Sequence, residues 1–201
     1  MADLNTRSKD LGHLVVVGGP GGSGASTIAK KLAEHFSLNY FYGGKLMRDL
    51  AKKHGFDSLT KFLESEFFKE NHLKFDLLID EQLFQKSFSR DILIDSKIFA
   101  ALATKYEIPC SVKIWINADI DVRAERTKGK KITGRGPEEI RHNLETRFEN
   151  DKKRFMDLYG IEFENQRKYN DIVVNSSHQV VQETFEFILK LIQNGRYLKE
   201  G

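Results

Sequence analysis

The chain has 201 residues, of which 40% are hydrophobic and 30% charged, with three prolines. This composition is typical of a folded domain with its own core and excludes a disordered chain. The 32 basic and 29 acidic residues leave a formal charge of +3, which is too small to indicate nucleic acid as the partner. A single cysteine, Cys110, excludes a disulfide framework and a cysteine-rich metal site.

Membrane and targeting signals are not visible in the sequence. Its apolar runs are shorter than a membrane span, and residues 1–11 are polar where a signal peptide would be hydrophobic. The cytoplasm is therefore the expected compartment, and no membrane is expected among the partners. Because the sequence shows neither an internal repeat nor a low-complexity linker, we expect one domain over residues 1–201.

Short apolar runs alternate with segments of helical periodicity along the chain. Strands are predicted at residues 13–18, 39–42, 92–95, 112–116 and 171–175. Helices are predicted from residue 26, over 45–88 with breaks near Gly55 and Asn71, before Pro109, over 119–127, over 137–159 and around 181–192. Strands separated by helices predict an α/β fold of three layers, α/β/α, around a five-stranded parallel sheet.

The glycine-rich segment GPGGSGAST, residues 19–27, follows the first strand and opens a helix. In that context glycines let backbone N–H groups turn toward phosphate oxygens, and the helix N-terminus adds a favourable dipole. The spacing matches the Walker A pattern of a P-loop, except that Ala25 stands in place of lysine. A plain glycine-rich turn is the alternative. The residues predicted to bind ATP are Gly19, Gly21, Gly22, Ser23, Gly24, Ala25, Ser26 and Thr27.

Ala25 removes a cation that would bridge the transferring phosphates, but it leaves the backbone N–H groups and the helix dipole in place. We therefore expect phosphate binding to persist even where the chemistry is slowed. Ser26 is the candidate metal ligand, through its hydroxyl, for Mg²⁺. Lys45 follows Gly44 but does not restore the motif, because Leu46 stands where serine or threonine is required.

Six segments follow the loop in a defined order: YGGKLMR (42–48), FDLLID (75–80), ILIDSK (92–97), VRAER (122–126), RFENDKKRFMDLYGI (147–161) and NDIVVNS (170–176). With the P-loop, they make residues 14–192 resemble the nucleoside monophosphate kinases, most closely the short cytidylate-kinase-like proteins of archaeal type. The resemblance implies a P-loop NTPase-type core at residues 12–44, 90–126 and 160–194. It also implies acceptor-binding helices at 45–89 and a lid at 127–137 followed by a helix at 138–159.

For the acceptor nucleotide, the resemblance implies a phosphate contact by Arg48, whose guanidinium suits bidentate binding. Lys97 stands where the family has an arginine for the monophosphate, which keeps the charge but loses the planar fork. Asp76 and Asp80 lie four residues apart, on one helix face, where they would hold a base or an arginine. A solvated acidic face is the alternative for this pair.

For the donor and the transfer step, the resemblance implies roles for Asp95 and for a set of arginines. Asp95 ends a predicted buried strand, where an acid would approach Mg²⁺ through water, although a plain strand-end aspartate remains open. Arg126 is expected near the donor nucleotide. Arg147 and Arg154 lie two helical turns apart and would clamp the transferring phosphoryl group; a surface charge ladder is the alternative.

The implied reaction is transfer of the γ-phosphoryl group of ATP, with Mg²⁺, to a nucleoside monophosphate, with CMP or dCMP first. A monomer is expected. The rival hypothesis is a degenerate, nucleotide-binding regulatory or scaffold protein, which the departures at Ala25, Lys45 and Lys97 favour. Nucleic-acid binding by the basic lid is disfavoured, because the lid lacks aromatic residues for base stacking. Its cations Lys130, Lys131 and Arg135 would offset the charge lost at the P-loop.

Overall fold

The computed structural model describes residues 7–57, 59–128 and 136–198, without the side chain of Thr60. Most of the predicted lid, including Lys130, Lys131 and Arg135, lies outside the described residues.

A parallel sheet forms the centre of the molecule. Within the described residues its strands are β1 (Leu14–Gly18), β2 (Asn39–Tyr42), β3 (Ile92–Asp95), β4 (Val112–Asn117) and β5 (Ile172–Asn175). They are arranged in the order β2-β3-β1-β4-β5, and every neighbouring pair is parallel. The predicted five-stranded parallel sheet is therefore confirmed, with bounds that differ from the prediction by one residue in β1, β4 and β5.

Helices cover both faces of this sheet. In the described part of the chain they are α1 (Ala25–His35), α2 (Gly43–Lys53), α3 (Leu59–Glu64), α4 (Glu66–Ser87), α5 (Phe99–Lys105), α6 (Ile120–Lys128), α7 (Pro137–Tyr159) and α8 (Val181–Asn194). Short 3₁₀ turns occupy Lys9–Leu11 and Gln166–Lys168. Pro137 opens α7, as predicted, because a helix needs no N–H donor at its first position.

Alternate residues of β1 pack into separate cores, since successive side chains of a strand point to opposite faces. Leu14 and Val16 join a cluster with residues of α4, α5 and α7. Val15 and Val17 join a second cluster with residues of α1 and α8. All four side chains are buried. The sheet thus lies between two helical layers, which confirms the predicted α/β/α arrangement.

The segment between β2 and β3 folds as three helices around a small aromatic core. Phe62, Phe68 and Phe75 are buried there with Ala51. The predicted break near Gly55 is confirmed, but the predicted break at Asn71 is wrong, because α4 continues through that position. The break lies instead between α3 and α4 at Ser65, whose side chain accepts a hydrogen bond from the Phe68 N–H at 3.1 Å.

This topology brings the carboxyl ends of the strands to one edge of the sheet. β1 lies between β3 and β4. After β1 the chain forms β2 and β3 on one side of this strand, and it then forms β4 and β5 on the other side. In open parallel sheets such a point of reversal forms a crevice that binds ligands. Among the described residues, no helix combines the length and the apolar character that crossing a bilayer requires.

Candidate active site

The glycine loop wraps around the end of β1 and leads directly into α1. Gly22 and Gly24 have φ values of +85° and +90°, in the left-handed region that favours glycine. The N–H groups of Thr27 and Ile28 both donate to the carbonyl oxygen of Gly24, at 2.9 and 3.1 Å. The loop therefore has the backbone shape of a phosphate nest, with the positive end of a helix at its base.

Close packing fixes the loop against neighbouring elements. A Cβ atom added at Gly22 would lie 2.5 Å from the carbonyl oxygen of Arg123 in α6. One added at Gly19 would lie 2.3 Å from the carbonyl oxygen of Ile116 in β4. Both positions require glycine because a side chain would have no space. A plain glycine-rich turn would not need the close approach of Gly22 to Arg123 in α6.

Ser26, Asp95 and Tyr40 meet beside the loop. Asp95 ends β3 and is buried, and its carboxylate accepts a hydrogen bond from the Tyr40 hydroxyl, whose oxygen lies 2.7 Å from Asp95 Oδ2. Burial raises the pKa of Asp95, whereas the hydroxyls of Tyr40 and Ser26 and the nearby Lys30 charge oppose that rise. A hydroxyl and a carboxylate at the mouth of a phosphate loop are oxygen ligands of the kind that Mg²⁺ prefers.

Arg126 joins the P-loop to the segment that follows β5. Its Nη1 donates to the Ser23 carbonyl at 3.1 Å and to Ser176 Oγ at 3.0 Å. Its Nη2 donates to the carbonyls of Ser176 at 2.8 Å and Gln179 at 3.2 Å. The guanidinium edge is thus committed to protein oxygens, which fixes the plane of the group.

A cavity of about 180 Å³ opens beside Arg126. Its walls come from the P-loop, α1, α6, the segment after β5 and the start of α8. The lining residues include Gly22, Thr27, Ile28, Arg126, Gln179 and Val181. The cavity therefore offers apolar side chains and the rim of a guanidinium next to the phosphate loop, which suits a flat aromatic base.

A chain of ion pairs connects the end of β3 with α7 and α4. Lys97 Nζ lies 2.8 Å from Asp151 Oδ2, and Arg154 Nη2 lies 2.9 Å from Asp151 Oδ1. Arg154 Nη1 lies 3.6 Å from Asp76 Oδ1. Burial would raise the pKa of Asp151, but Lys97 and Arg154 lower it overall, so the carboxylate is ionised at neutral pH. The arginine side chain is only 17% exposed, so the surface-ladder alternative is wrong for Arg154.

Two polar atoms of the residues in these ion pairs have no hydrogen-bond partner among the described residues. They are Asp76 Oδ2 and Arg154 Nε, and both are buried. Asp76 is 5% exposed, and burial raises its pKa while Arg154 opposes the rise. Buried polar atoms in folded proteins are nearly always satisfied, so this acceptor and this donor are atoms that a water molecule or a ligand would satisfy.

Asp80 has a different environment from Asp76. It is 7% exposed, and its carboxylate accepts a hydrogen bond from the hydroxyl of Tyr159 at the end of α7. Burial raises the pKa of Asp80 to about 6, although the hydrogen bond from Tyr159 opposes this. The solvated-face alternative is therefore wrong for both aspartates, and Asp80 ties α4 to α7.

A narrow cleft beside the P-loop collects positive charge. Lys97, Arg123 and Arg147 line it together with Pro20 and Gly21. Arg123 Nη1 lies 3.5 Å from the Gly21 carbonyl oxygen, and its buried Nε has no hydrogen-bond partner in the described ranges. The site residues predicted from the sequence include Arg126 but not Arg123. Their spacing of three on a helix, which places both on one side, was the available signal.

Arg48 and Lys45 lie on α2, near the carboxyl end of β2. Arg48 is exposed, and its Nη1 donates to the Tyr42 hydroxyl at 2.7 Å while the guanidinium carbon lies 5.1 Å from the ring centroid. Tyr42 is paired in register with Asp95, so Arg48 lies at the edge of the sheet that carries the P-loop. Lys45 pairs with Asp49 at 3.2 Å and is 73% exposed.

Comparisons with known proteins decide the family. Residues 15–178 match the model of the cytidylate kinase-like family. The chain belongs to this family. A protein named cytidylate kinase from Methanopyrus kandleri is 32% identical over 181 residues, covering 87% of this chain and 90% of its own. One of the same name from Pyrococcus horikoshii is 29% identical, covering 90% and 88%.

Solved structures share the fold at low identity. Shikimate kinase from Acinetobacter baumannii, in complex with shikimate, superposes with a TM-score of 0.59 at 15% identity, covering 93% of this chain and 96% of its own. The region that matches the cytidylate kinase-like family begins in β1 and ends in the segment after β5. It thus includes the P-loop, the ion-pair chain and Arg126, whereas α8 contributes Val181 from beyond it.

Proposed function

We propose that this chain transfers the γ-phosphoryl group of ATP to CMP or dCMP, with Mg²⁺ as the metal. The observation that carries the acceptor assignment is the pair of buried, unpartnered atoms Asp76 Oδ2 and Arg154 Nε. The base edge of cytosine presents an amino donor beside ring and carbonyl acceptors. A carboxylate oxygen accepts from the amino group, and a guanidinium N–H donates to an acceptor, so the two side chains complement this edge.

The donor nucleotide is assigned to the P-loop and the adjoining cavity. Backbone N–H groups of the loop and of α1 would hold the phosphates, and the base would lie in the cavity beside Arg126. Ser26 would be a direct ligand of Mg²⁺, and Asp95 would contact it through water. When bound, Mg²⁺ supplies charge neutralisation at the phosphate oxygens.

The acceptor phosphate is assigned to Arg48 and Lys97. Arg123 and Arg147 line the cleft at Pro20 and Gly21, and in this proposal they would stabilise negative charge during transfer. Alignment of donor and acceptor with this charge stabilisation requires no covalent intermediate on the protein. Arg123 adds a cation near the loop that lacks the usual lysine at Ala25.

A degenerate nucleotide-binding protein is the second candidate, and Ala25 is the observation that favours it. Loss of the P-loop lysine weakens stabilisation of the transferring group without removing the backbone nest. Lys97 is also paired with Asp151 at 2.8 Å, so part of its charge is already neutralised before an acceptor phosphate binds. Under this hypothesis the chain binds ATP but turns it over only when the lysine is restored.

One experiment separates these functions. The wild-type protein and Ala25→Lys are incubated with ATP, Mg²⁺ and, in turn, CMP, dCMP, UMP, AMP and GMP, and ADP formation is measured. We expect the wild type to form ADP with CMP and dCMP ahead of the other acceptors. Product in Ala25→Lys alone would favour the binding protein, and equal rates with every acceptor would contradict recognition of cytosine. Absence of thermal stabilisation by ATP in both proteins would contradict both functions.

We also propose that the protein is a cytoplasmic monomer whose partners are small nucleotides. Two relatives are named cytidylate kinase. A kinase that acts on small nucleotides needs neither nucleic acid nor a membrane as a partner. Sedimentation of the purified protein tests the monomer.

A further inference from the structure

We propose that Tyr40 is a positioning residue for the metal side of the site, holding the Asp95 carboxylate toward Ser26. This inference rests on the proposed function, because it concerns the Mg²⁺ that accompanies the donor nucleotide. Tyr40 is not one of the predicted site residues, and it belongs to β2 rather than to the P-loop or the strand that carries Asp95.

The geometry of Tyr40 singles out one oxygen of the carboxylate. Its hydroxyl donates to Asp95 Oδ2 at 2.7 Å, across the neighbouring parallel strands β2 and β3. The backbone of Asp95 is already fixed by β3, which pairs with β1 at Val17 and with β2 at Tyr42. The side-chain torsion is the remaining freedom of Asp95, and the hydroxyl of Tyr40 restricts it.

The ring of Tyr40 is itself held from α1. Lys30 Nζ lies 5.9 Å from the ring centroid, a cation–π distance. Lys30 follows Ser26 by four residues, so both side chains project from one face of α1. α1 therefore contributes Ser26, whose hydroxyl helps to lower the pKa of Asp95, and Lys30, which lies over the ring of the tyrosine that orients the same carboxylate.

Groups that orient the direct ligands of a metal affect its affinity strongly, and removing one typically costs 10–100-fold. Because Asp95 would contact Mg²⁺ through water, the low end of this range applies to Tyr40. The consequence is larger where Mg²⁺ carries more of the charge neutralisation. Ala25 leaves the P-loop without its lysine, so the metal must supply more of the positive charge at the phosphates. We infer that Tyr40 matters for binding the metal–nucleotide complex and not for binding the nucleotide alone.

The test is calorimetric titration of ADP into the protein with Mg²⁺ and with EDTA. The quantity of interest is the ratio of the two dissociation constants, which reports the gain from the metal without requiring turnover. Tyr40→Phe removes the hydroxyl and keeps the ring and its contact with Lys30. We expect this variant to lower the Mg²⁺-dependent gain about tenfold and to leave ADP affinity in EDTA unchanged. An unchanged gain in Tyr40→Phe would overturn the inference.

A matched control and a double variant make the result specific. Tyr106→Phe removes a phenol hydroxyl from a ring that packs edge-on against Phe84 in the core, at a centroid distance of 5.3 Å, and should keep the wild-type gain. In an Asp95→Ala background, Tyr40→Phe should have no further effect, because the carboxylate that Tyr40 orients is absent. An equal loss in both backgrounds would show that Tyr40 acts independently of Asp95. Failure of the wild type to bind ADP at all would contradict the proposed function instead.

Discussion

Arg154 and Asp76 face each other across the contact between α7 and α4, with 3.6 Å between Nη1 and Oδ1. Each has a second polar atom, Nε and Oδ2, that lacks a hydrogen-bond partner within the described residues. The ion pair compensates the two buried charges, while the remaining donor and acceptor stay available to a ligand. A buried pair of this kind discriminates between ligands, since a base with the wrong edge leaves one of its atoms unsatisfied.

Asp76→Asn tests this discrimination. The carboxamide keeps one accepting oxygen in place of two, and its NH₂ group can donate to the carbonyl oxygen that uracil carries in place of the cytosine amino group. We expect kcat/KM for CMP to fall about 10–100-fold and the ratio of CMP to UMP activity to move toward UMP. Steady-state assays with both acceptors measure the ratio. Glu81→Gln, an exposed position on the same helix, is the control, and a ratio unchanged in Asp76→Asn would contradict the assignment.

The P-loop backbone gives a second prediction, from Gly22→Ala. An alanine Cβ there would meet the Arg123 carbonyl oxygen at 2.5 Å, at a φ of +85°, so the loop must shift to accept it. We expect ADP binding measured by calorimetry to be lost or weakened by more than about tenfold. Gly55→Ala is the matched control, because Gly55 has a φ of +81° with nothing within 4 Å of an added Cβ. The Gly55→Ala variant should cost about 1–2 kcal/mol of unfolding free energy and preserve ADP affinity. Equal ADP binding by the Gly22→Ala and Gly55→Ala variants would argue against a phosphate-binding nest at the P-loop.

Asp80 predicts a specific pH dependence of stability. Burial raises its pKa from 3.8 to about 6, so between these pH values the folded protein keeps a proton that the unfolded chain has released. The contribution of Asp80 to the free energy of unfolding therefore falls as the pH rises from about 4 to about 6, by up to about 3 kcal/mol. Asp80→Asn cannot ionise, and its stability relative to wild type should grow across this window.

Urea unfolding at pH 4, 5, 6 and 7 measures that difference. Because other carboxylates titrate in the same range, the informative quantity is the difference between the variant and the wild type at each pH. Asp157→Asn, at an exposed position on α7, should give a difference that stays constant with pH. A constant difference for Asp80→Asn as well would show that the pKa of Asp80 is the same in the folded and the unfolded protein, which would contradict the prediction.

Local sequence was sufficient to predict the strands and the loop that carries the phosphate site. The β-branched run of β1, followed by closely spaced glycines and a helical apolar pattern, admits few other structures. The same reasoning failed at Asn71, which looked like a helix break. Its side chain instead donates to the carbonyl oxygen of Phe67, four residues earlier in α4, at 2.9 Å. Helix α4 therefore satisfies Asn71 internally, and the break occurs at Ser65, which caps the start of α4.

The site was harder to predict, because its partners come from distant parts of the chain. Asp76 and Asp80 look equivalent in sequence, since each lies on the same face of one helix. Their environments differ because α7, formed much later in the chain, places Arg154 beside one and Tyr159 beside the other. Arg123 was missed for a similar reason, since its proximity to Gly21 depends on how α6 packs on the P-loop.

Arg126 allows a last prediction about the donor cavity. Its guanidinium bridges the carbonyl oxygens of Ser23 and Gln179 and both oxygens of Ser176. Arg126→Met keeps the length of the side chain but removes every one of these bonds, so the P-loop and the segment after β5 lose their connection. We expect the dissociation constant of ADP to rise at least about tenfold and the unfolding free energy to fall by about 1–3 kcal/mol.

The matched control is Arg141→Met, which removes exposed ion pairs with Asp121 and Glu145. This variant should cost less than about 1 kcal/mol of unfolding free energy and should leave ADP binding unchanged. Equal ADP affinity in the two variants would place the base elsewhere than beside Arg126.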